Sequence, residues 1–248
     1  MKKPQHLKRA ASALGIIGAS IALGVSGTPA LAATDGDPAN YIVGGQPTNS
    51  PNIVQLSFQT EGEQGTFGCT GEAINSEWIL TARHCTEGSQ DMKAYYSNDT
   101  SNPGPAEASD RVVNSPNGDV GLVHLETPHE VSSYAQLGDG YTPSAGDHGD
   151  IFGYGLRANQ GQPDWLYTAG VNVLGTSTDA YEGEAIHIRG DDGASNHGDS
   201  GGPLVINGKI VGVCSTGDTV DPGADTQAGS NYANLNDHRD WISQQTGV

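Results

Sequence analysis

Nothing constrains this chain more than the way its apolar residues are dealt out. They fall in short β-branched runs at 53–59, 66–74, 78–81, 120–125, 151–154, 167–174, 185–189, 203–206 and 209–214. No long amphipathic stretch of helical period appears before the last dozen residues. Gly, Pro, Asn and Asp punctuate the runs, and 36 glycines supply that many turns. A surface helix needs an apolar stripe sustained over several turns, whereas a strand needs only a few half-buried residues. The pattern predicts an all-β chain of barrels or sandwiches, with a short helix at the C-terminus. Residues 127–150, polar and interrupted by Pro128 and Pro143, read as a long connection, and 97–109 as an exposed loop.

Against that background one hexapeptide stands out, Gly198-Asp199-Ser200-Gly201-Gly202-Pro203. It has almost nothing to bury, and its glycines permit backbone geometry that other residues resist. It suits a tight turn that presents the Ser200 hydroxyl among free backbone N–H groups able to stabilise an oxyanion. A serine hydroxyl is a weak nucleophile until a base takes its proton and a third group orients that base. Upstream, the apolar run Trp78-Ile79-Leu80-Thr81-Ala82 leads to Arg83, His84 and Cys85. Between the two, Asp119 opens the strand pattern Val120-Gly121-Leu122-Val123.

The order His, Asp, Ser with these flanks resembles the chymotrypsin/trypsin family of serine proteases, from Ile42 to the C-terminus. Four further segments carry the resemblance. They are Ile42-Val43-Gly44-Gly45, Phe67-Gly68-Cys69-Thr70-Gly71, Ile151-Phe152-Gly153-Tyr154-Gly155, and the tail from Asn231 to Ile242. The resemblance implies two antiparallel six-stranded Greek-key β-barrels and a short C-terminal helix, with the barrels at about 42–135 and 146–248. It implies a serine endopeptidase in which Ser200 is the nucleophile, His84 the general base and Asp119 its orienting partner, with Gly198 and Ser200 supplying the oxyanion hole. It also implies that Asp199 pairs with the α-ammonium of Ile42 once the chain is cut after Tyr41. Counting back from Ser200 puts Ala194 at the floor of the specificity pocket, with Gly217 and Ser230 on its walls. Such a pocket prefers apolar or small side chains. The alternative is Arg/Lys specificity, with Asp191 or Asp192 reaching the pocket, because Asn196 stands where the family usually has a bracing cysteine.

The N-terminus reads as an export signal. Lys2, Lys3, Lys8 and Arg9 precede an apolar run from Ala10 to Gly27, and Ala30-Leu31-Ala32 supplies the small residues of a cleavage site. Residues 1–32 are thus expected to be removed, 33–41 to form a pro-segment, and 42–248 to be the secreted peptidase domain. Residues 1–41 hold four of the 11 Lys+Arg and two of the 29 Asp+Glu, so the remaining 207 residues carry 7 basic and 27 acidic groups, net −20. That charge excludes nucleic acid and anionic membranes as favoured partners. The expected partners are protein or peptide substrates, met by a monomer.

Three cysteines allow one disulfide. The resemblance pairs Cys69 with Cys85, a lean arrangement similar to bacterial members of the family, and leaves Cys214 as a buried thiol in an apolar strand. No cofactor is expected, and the scattered histidines show no metal-ligand spacing. Arg83 beside His84 has no counterpart in the family pattern, and the sequence offers no role for it. The triplet Arg189-Gly190-Asp191 and the sequon Asn98-Asp99-Thr100 match an adhesion motif and a glycosylation site. A rival reading is a binding protein that keeps the fold without the chemistry.

Overall fold

A computed structural model describes residues 42–156, 161 and 163–248. The expected signal and pro-segment lie outside the described residues. Two short strands, β1 (Val43–Gly44) and β2 (Gln46–Pro47), lead into the first barrel. Its strands are β3 (Ile53–Thr60), β4 (Phe67–Ala73), β5 (Trp78–Thr81), β6 (Ser89–Tyr95), β7 (Glu107–Asn114) and β8 (Gly121–Leu125). They pair antiparallel in the closed order β3-β4-β5-β8-β7-β6. In β3, Val54, Leu56 and Phe58 alternate inward and meet Leu80, Met92, Ala94 and Leu122 in one core. Strands β6 and β7 carry no apolar run legible in the sequence, because one face of each is open to solvent. Strand β7 also takes the last residues of the stretch read as loop.

The second barrel contains β9 (His148–Gly153), β10 (Tyr167–Thr178), β11 (Glu184–Gly190), β13 (Pro203–Ile206), β14 (Lys209–Gly217) and β15 (Gly229–Asn234). The order β11-β15-β14-β13-β9-β10 closes through pairing of β10 with β11. Tyr167, Ala169, Val171 and Val173 of β10 face inward at every second position, as a half-buried strand requires. The chain is therefore two closed six-stranded antiparallel barrels. The short strand β12 (Gly193–Ala194) pairs with β1, setting Val43 opposite Ala194. A 3-10 turn (Leu235–His238) and helix α2 (Arg239–Thr246) end the chain. Leu235 and fully buried Ile242 pack into the first-barrel core, which ties the end of the second barrel back to the first.

Candidate active site

His84 sits on a single helical turn, α1 (Arg83–Thr86), directly after β5. Cys85 on that turn is bridged to Cys69 of β4, anchoring the turn to the barrel wall. His84 Nδ1 lies 2.7 Å from Asp119 Oδ2, and the His84 backbone N–H donates to Asp119 Oδ1 at 2.9 Å. Ser215 Oγ donates to Asp119 Oδ2 at 2.6 Å. Burial pushes the Asp119 carboxyl up, yet the hydrogen bond and charge of His84, with the Ser215 hydroxyl and the His84 N–H, hold it below the ordinary carboxylate range. Asp119 is completely buried and remains an anion facing the imidazole.

Ser200 lies in the turn between β12 and β13. It shares a cleft of about 440 Å³ with His84, Phe58, Cys69 and Gly198, and it also borders a second cleft of about 380 Å³. No hydrogen bond joins Ser200 to His84 among the described residues. The turn is pressed against the first barrel. Gly201, at φ +82°, has no room for a Cβ, which would stand 2.0 Å from Thr81 Oγ1 and 2.4 Å from the Thr70 carbonyl oxygen. Two carbonyls of the turn, those of Gly198 and Ser200, accept from Thr70 Oγ1 and Thr70 N at 2.9 Å each. The N–H groups of Gly198 and Ser200 have no acceptor among the described residues. Two unpaired N–H groups beside a serine can receive a developing oxyanion.

Asp199 turns inward. Its carboxylate accepts from the backbone N–H groups of Gly155 at 2.7 Å and Asn196 at 2.8 Å, in space that Gly155 leaves by lacking a side chain. Burial raises its pKa to about 7 against the effect of those two N–H groups. Ile42 is buried in the second-barrel core next to β1, and no described side-chain cation pairs with Asp199. Asn196 braces the loop where a cysteine was expected: its side chain donates to the Leu156 carbonyl at 3.1 Å and accepts the His197 N–H at 2.8 Å.

Ala194 is buried and pairs with Val43 in the β1–β12 ribbon. Ser195 and Gly217 line the 380 Å³ cleft. Ser230 is buried and does not border the cleft; its hydroxyl lies 2.6 Å from that of Ser195. Asp192 instead accepts the Gly170 N–H at 2.7 Å, and Asp191 borders a separate depression with His148 and Asp150. The acidic group at the cleft is Asp218, which the sequence reading did not single out; it is 2.9 Å from His187 Nε2.

Arg83 acquires one partner near it in sequence and one far away. Its guanidinium stacks 4.1 Å above the Tyr181 ring and pairs with Glu87 at 2.8 Å. Asn98 is not displayed for glycosylation, since its amide bonds Ser50 on both sides and the Tyr154 hydroxyl. The Arg189-Gly190-Asp191 triplet ends strand β11, with Gly190 and Asp191 bonded to neighbouring backbone. The one cluster of metal-ligating residue types among those described is Cys69, His84 and Cys85, and its two cysteines form the disulfide.

Comparison with known proteins defines the class. The family described as Trypsin matches residues 42–242. A thrombin-like enzyme, elegaxobin-1 of Protobothrops elegans, is 31% identical over 201 residues, covering 71% of this chain and 84% of its own. An uncharacterized peptidase of Corynebacterium glutamicum is 29% identical over 204 residues, covering 81% and 69%. A solved structure described as HL collagenase superposes with a TM-score of 0.69 at 22% identity, over 82% of this chain and 98% of its own. The chain belongs to the Trypsin family, and it is a serine endopeptidase.

Proposed function

We propose that this endopeptidase hydrolyses peptide bonds through Ser200, His84 and Asp119. Ser200 Oγ attacks the scissile carbonyl as His84 takes its proton, and the imidazolium then protonates the leaving amine. The acyl-enzyme on Ser200 is released by water that His84 activates in turn. Asp119 holds the proton-bearing Nδ1 toward itself and stabilises the imidazolium. The N–H groups of Gly198 and Ser200 receive the oxyanion, worth about 3 kcal/mol each. The observation that carries this reading is the dyad at 2.7 Å opening on the same cleft as Ser200. A fluorophosphonate should label Ser200 stoichiometrically, and Ser200→Ala should remove both the label and turnover. Turnover by Ser200→Ala would overturn the reading, and failure of the wild type to be labelled would favour a non-catalytic binding protein.

The enzyme is made with an export signal at 1–32 and a pro-segment at 33–41, and cleavage before Ile42 frees the ammonium that Asp199 receives. The disulfide and the apolar N-terminal run support export. The single bridge and the Corynebacterium glutamicum relative support a bacterial-type member. It acts as a monomer on protein or peptide chains. Its pocket takes apolar or small side chains, because Asp192 accepts the Gly170 N–H, Asp191 borders a separate depression and the Ser195 hydroxyl is committed to Ser230. Apolar burial discriminates by only about 1–3 kcal/mol per group, so the preference is broad. A peptide-library profile dominated by cleavage after Arg or Lys would refute it and point to Asp218.

A further inference from the structure

The segment between β10 and β11 touches the catalytic dyad in an unusual way. Asp179 is buried at 7% exposure, and three backbone N–H groups converge on its carboxylate. Tyr181 and Gly183, from its own loop, donate to Oδ1 at 2.8 and 2.9 Å. The third donor belongs to the other barrel: the N–H of Asp119 itself, 2.8 Å from Asp179 Oδ2. Gly118 makes the approach possible. At φ +67° it has no side chain, and a Cβ there would stand 2.6 Å from Asp179 Oδ2 and 3.1 Å from His238 Nε2.

The next residue completes a ring. The Ala180 N–H donates to Ser215 Oγ at 3.0 Å, and Ser215 Oγ lies 2.6 Å from Asp119 Oδ2. A hydroxyl that accepts from Ala180 has its proton left for Asp119, so the donor direction of Ser215 is set by the loop. The dipeptide Asp179–Ala180 therefore holds Asp119 by both its backbone and its carboxylate. One residue further, Tyr181 donates from its hydroxyl to Glu87 Oε2 at 2.5 Å and lies under Arg83, gripping the turn that carries His84. The loop belongs to the second barrel, and both segments it holds belong to the first.

From this juxtaposition we infer that Asp179 is a positioning residue for catalysis, fixing the Asp119 carboxylate against His84 from across the barrel boundary. The inference rests on the reading of Asp119 as the orienting member of the triad. It also gives Arg83 a function, as the first-barrel half of the same clasp.

The test uses the processed enzyme and three substitutions, Asp179→Ala, Asp179→Asn and Gly118→Ala, with Ser200→Ala as control. Competent sites are counted by the burst of an acylating ester, and kcat is expressed per titrated site. Asp179→Ala should lower that kcat by about 10- to 100-fold, the range for a misplaced catalytic group, with KM changed less than about twofold. Asp179→Asn keeps one acceptor and should recover part of the loss. Gly118→Ala displaces the carboxylate and should lower kcat while Asp179 remains, which serves if Asp179→Ala does not fold. A merely structural role would reduce the number of titratable sites and leave kcat per site unchanged. Unchanged kcat per site in Asp179→Asn and Gly118→Ala, with Ser200→Ala inactive, overturns the inference alone. Activity in Ser200→Ala overturns the triad reading beneath it.

Discussion

Thr70 Oγ1 stands 2.9 Å from the carbonyl oxygen of Gly198, so the first barrel holds the turn of the second that bears Ser200. The same hydroxyl oxygen accepts the Tyr154 N–H at 3.2 Å, and the Thr70 N–H reaches the Ser200 carbonyl. The N–H groups of those same two peptides, belonging to Asp199 and Gly201, are bonded to the carbonyls of Asn196 and Cys214, while the N–H groups of Gly198 and Ser200 have no acceptor among the described residues.

Thr70→Val preserves shape and removes the hydroxyl. It leaves the Gly198 carbonyl and the Tyr154 N–H without their partner, a cost of about 1–3 kcal/mol in stability. If the Gly198–Asp199 peptide then shifts and carries the flanking N–H groups of Gly198 and Ser200 with it, kcat falls by about tenfold or more with little change in KM. Denaturant unfolding and steady-state kinetics check the two effects separately, and an unchanged kcat would show that the turn holds itself.

The bridge between Cys69 and Cys85 closes 16 residues that include all of β5 and the His84 turn. Chain-entropy arguments assign about 3 kcal/mol to a loop of this size. The double substitution Cys69→Ala with Cys85→Ala is expected to lose about that much in urea unfolding, and to lose kcat further through a looser His84.

Cys214 is buried beside the cleft, and burial first, with the nearby Asp199 charge second, pushes its thiol up to about 12. A thiol held protonated is a poor nucleophile. Mass spectrometry after iodoacetamide should find no adduct on the native enzyme and one on the unfolded, unreduced chain. Rapid native labelling would place Cys214 at the cleft surface.

Asp199 gives a signature that separates the uncut from the cut chain. In the uncut chain its folded pKa is raised to about 7 by burial. A raised carboxyl contributes stability that is full below its unfolded value, near 4, and is lost as pH rises through about 7. An ammonium at Ile42 after cleavage favours the ionised form and removes that loss. In a Ser200→Ala background, which prevents self-digestion, the melting temperature of the uncut chain should fall from pH 4 to pH 8 relative to that of the cut chain. Parallel curves would mean that Ile42 and Asp199 do not pair.

Sequence carried the barrels and the hexapeptide around Ser200, since both depend on local rules: alternation in strands such as β10, and glycines where no Cβ fits, as at Gly201. It also carried the segments that meet as the dyad, His84 and Asp119, through their flanks. What it could not carry was anything decided by a remote partner. Arg83 finds Tyr181 across 98 positions, and Asp119 finds Asp179 across 60, with no periodicity linking them. The surroundings of Ala194 are hidden for a related reason, since its pairing with Val43 joins positions far apart in the chain.

Glu72 is the plainest case of a residue whose environment is invisible in sequence. It lies on β4 opposite Ile53 and Leu80, is completely buried, and neither carboxyl oxygen has a hydrogen-bond partner among the described residues. Burial raises its pKa well above the ordinary carboxyl value. The sign follows from the two states: the unfolded chain releases this proton near pH 4.3, the folded chain only at higher pH. Its contribution is therefore most favourable in acid and declines as pH rises above about 4. Unlike Asp199, Glu72 has no prospective cation, so the decline should persist after cleavage before Ile42. Glu72→Leu removes both the titration and the unpaired polar atoms, and is expected to stabilise the cut enzyme by about 2 kcal/mol at pH 8 and by less at pH 4. In melting temperature that is about 4–8 °C for a domain of this size. Glu72→Gln should flatten the pH dependence without the full gain, because its amide remains unpaired. Destabilisation by Glu72→Leu at both pH values would mean that the carboxyl has a buried partner, such as an enclosed water.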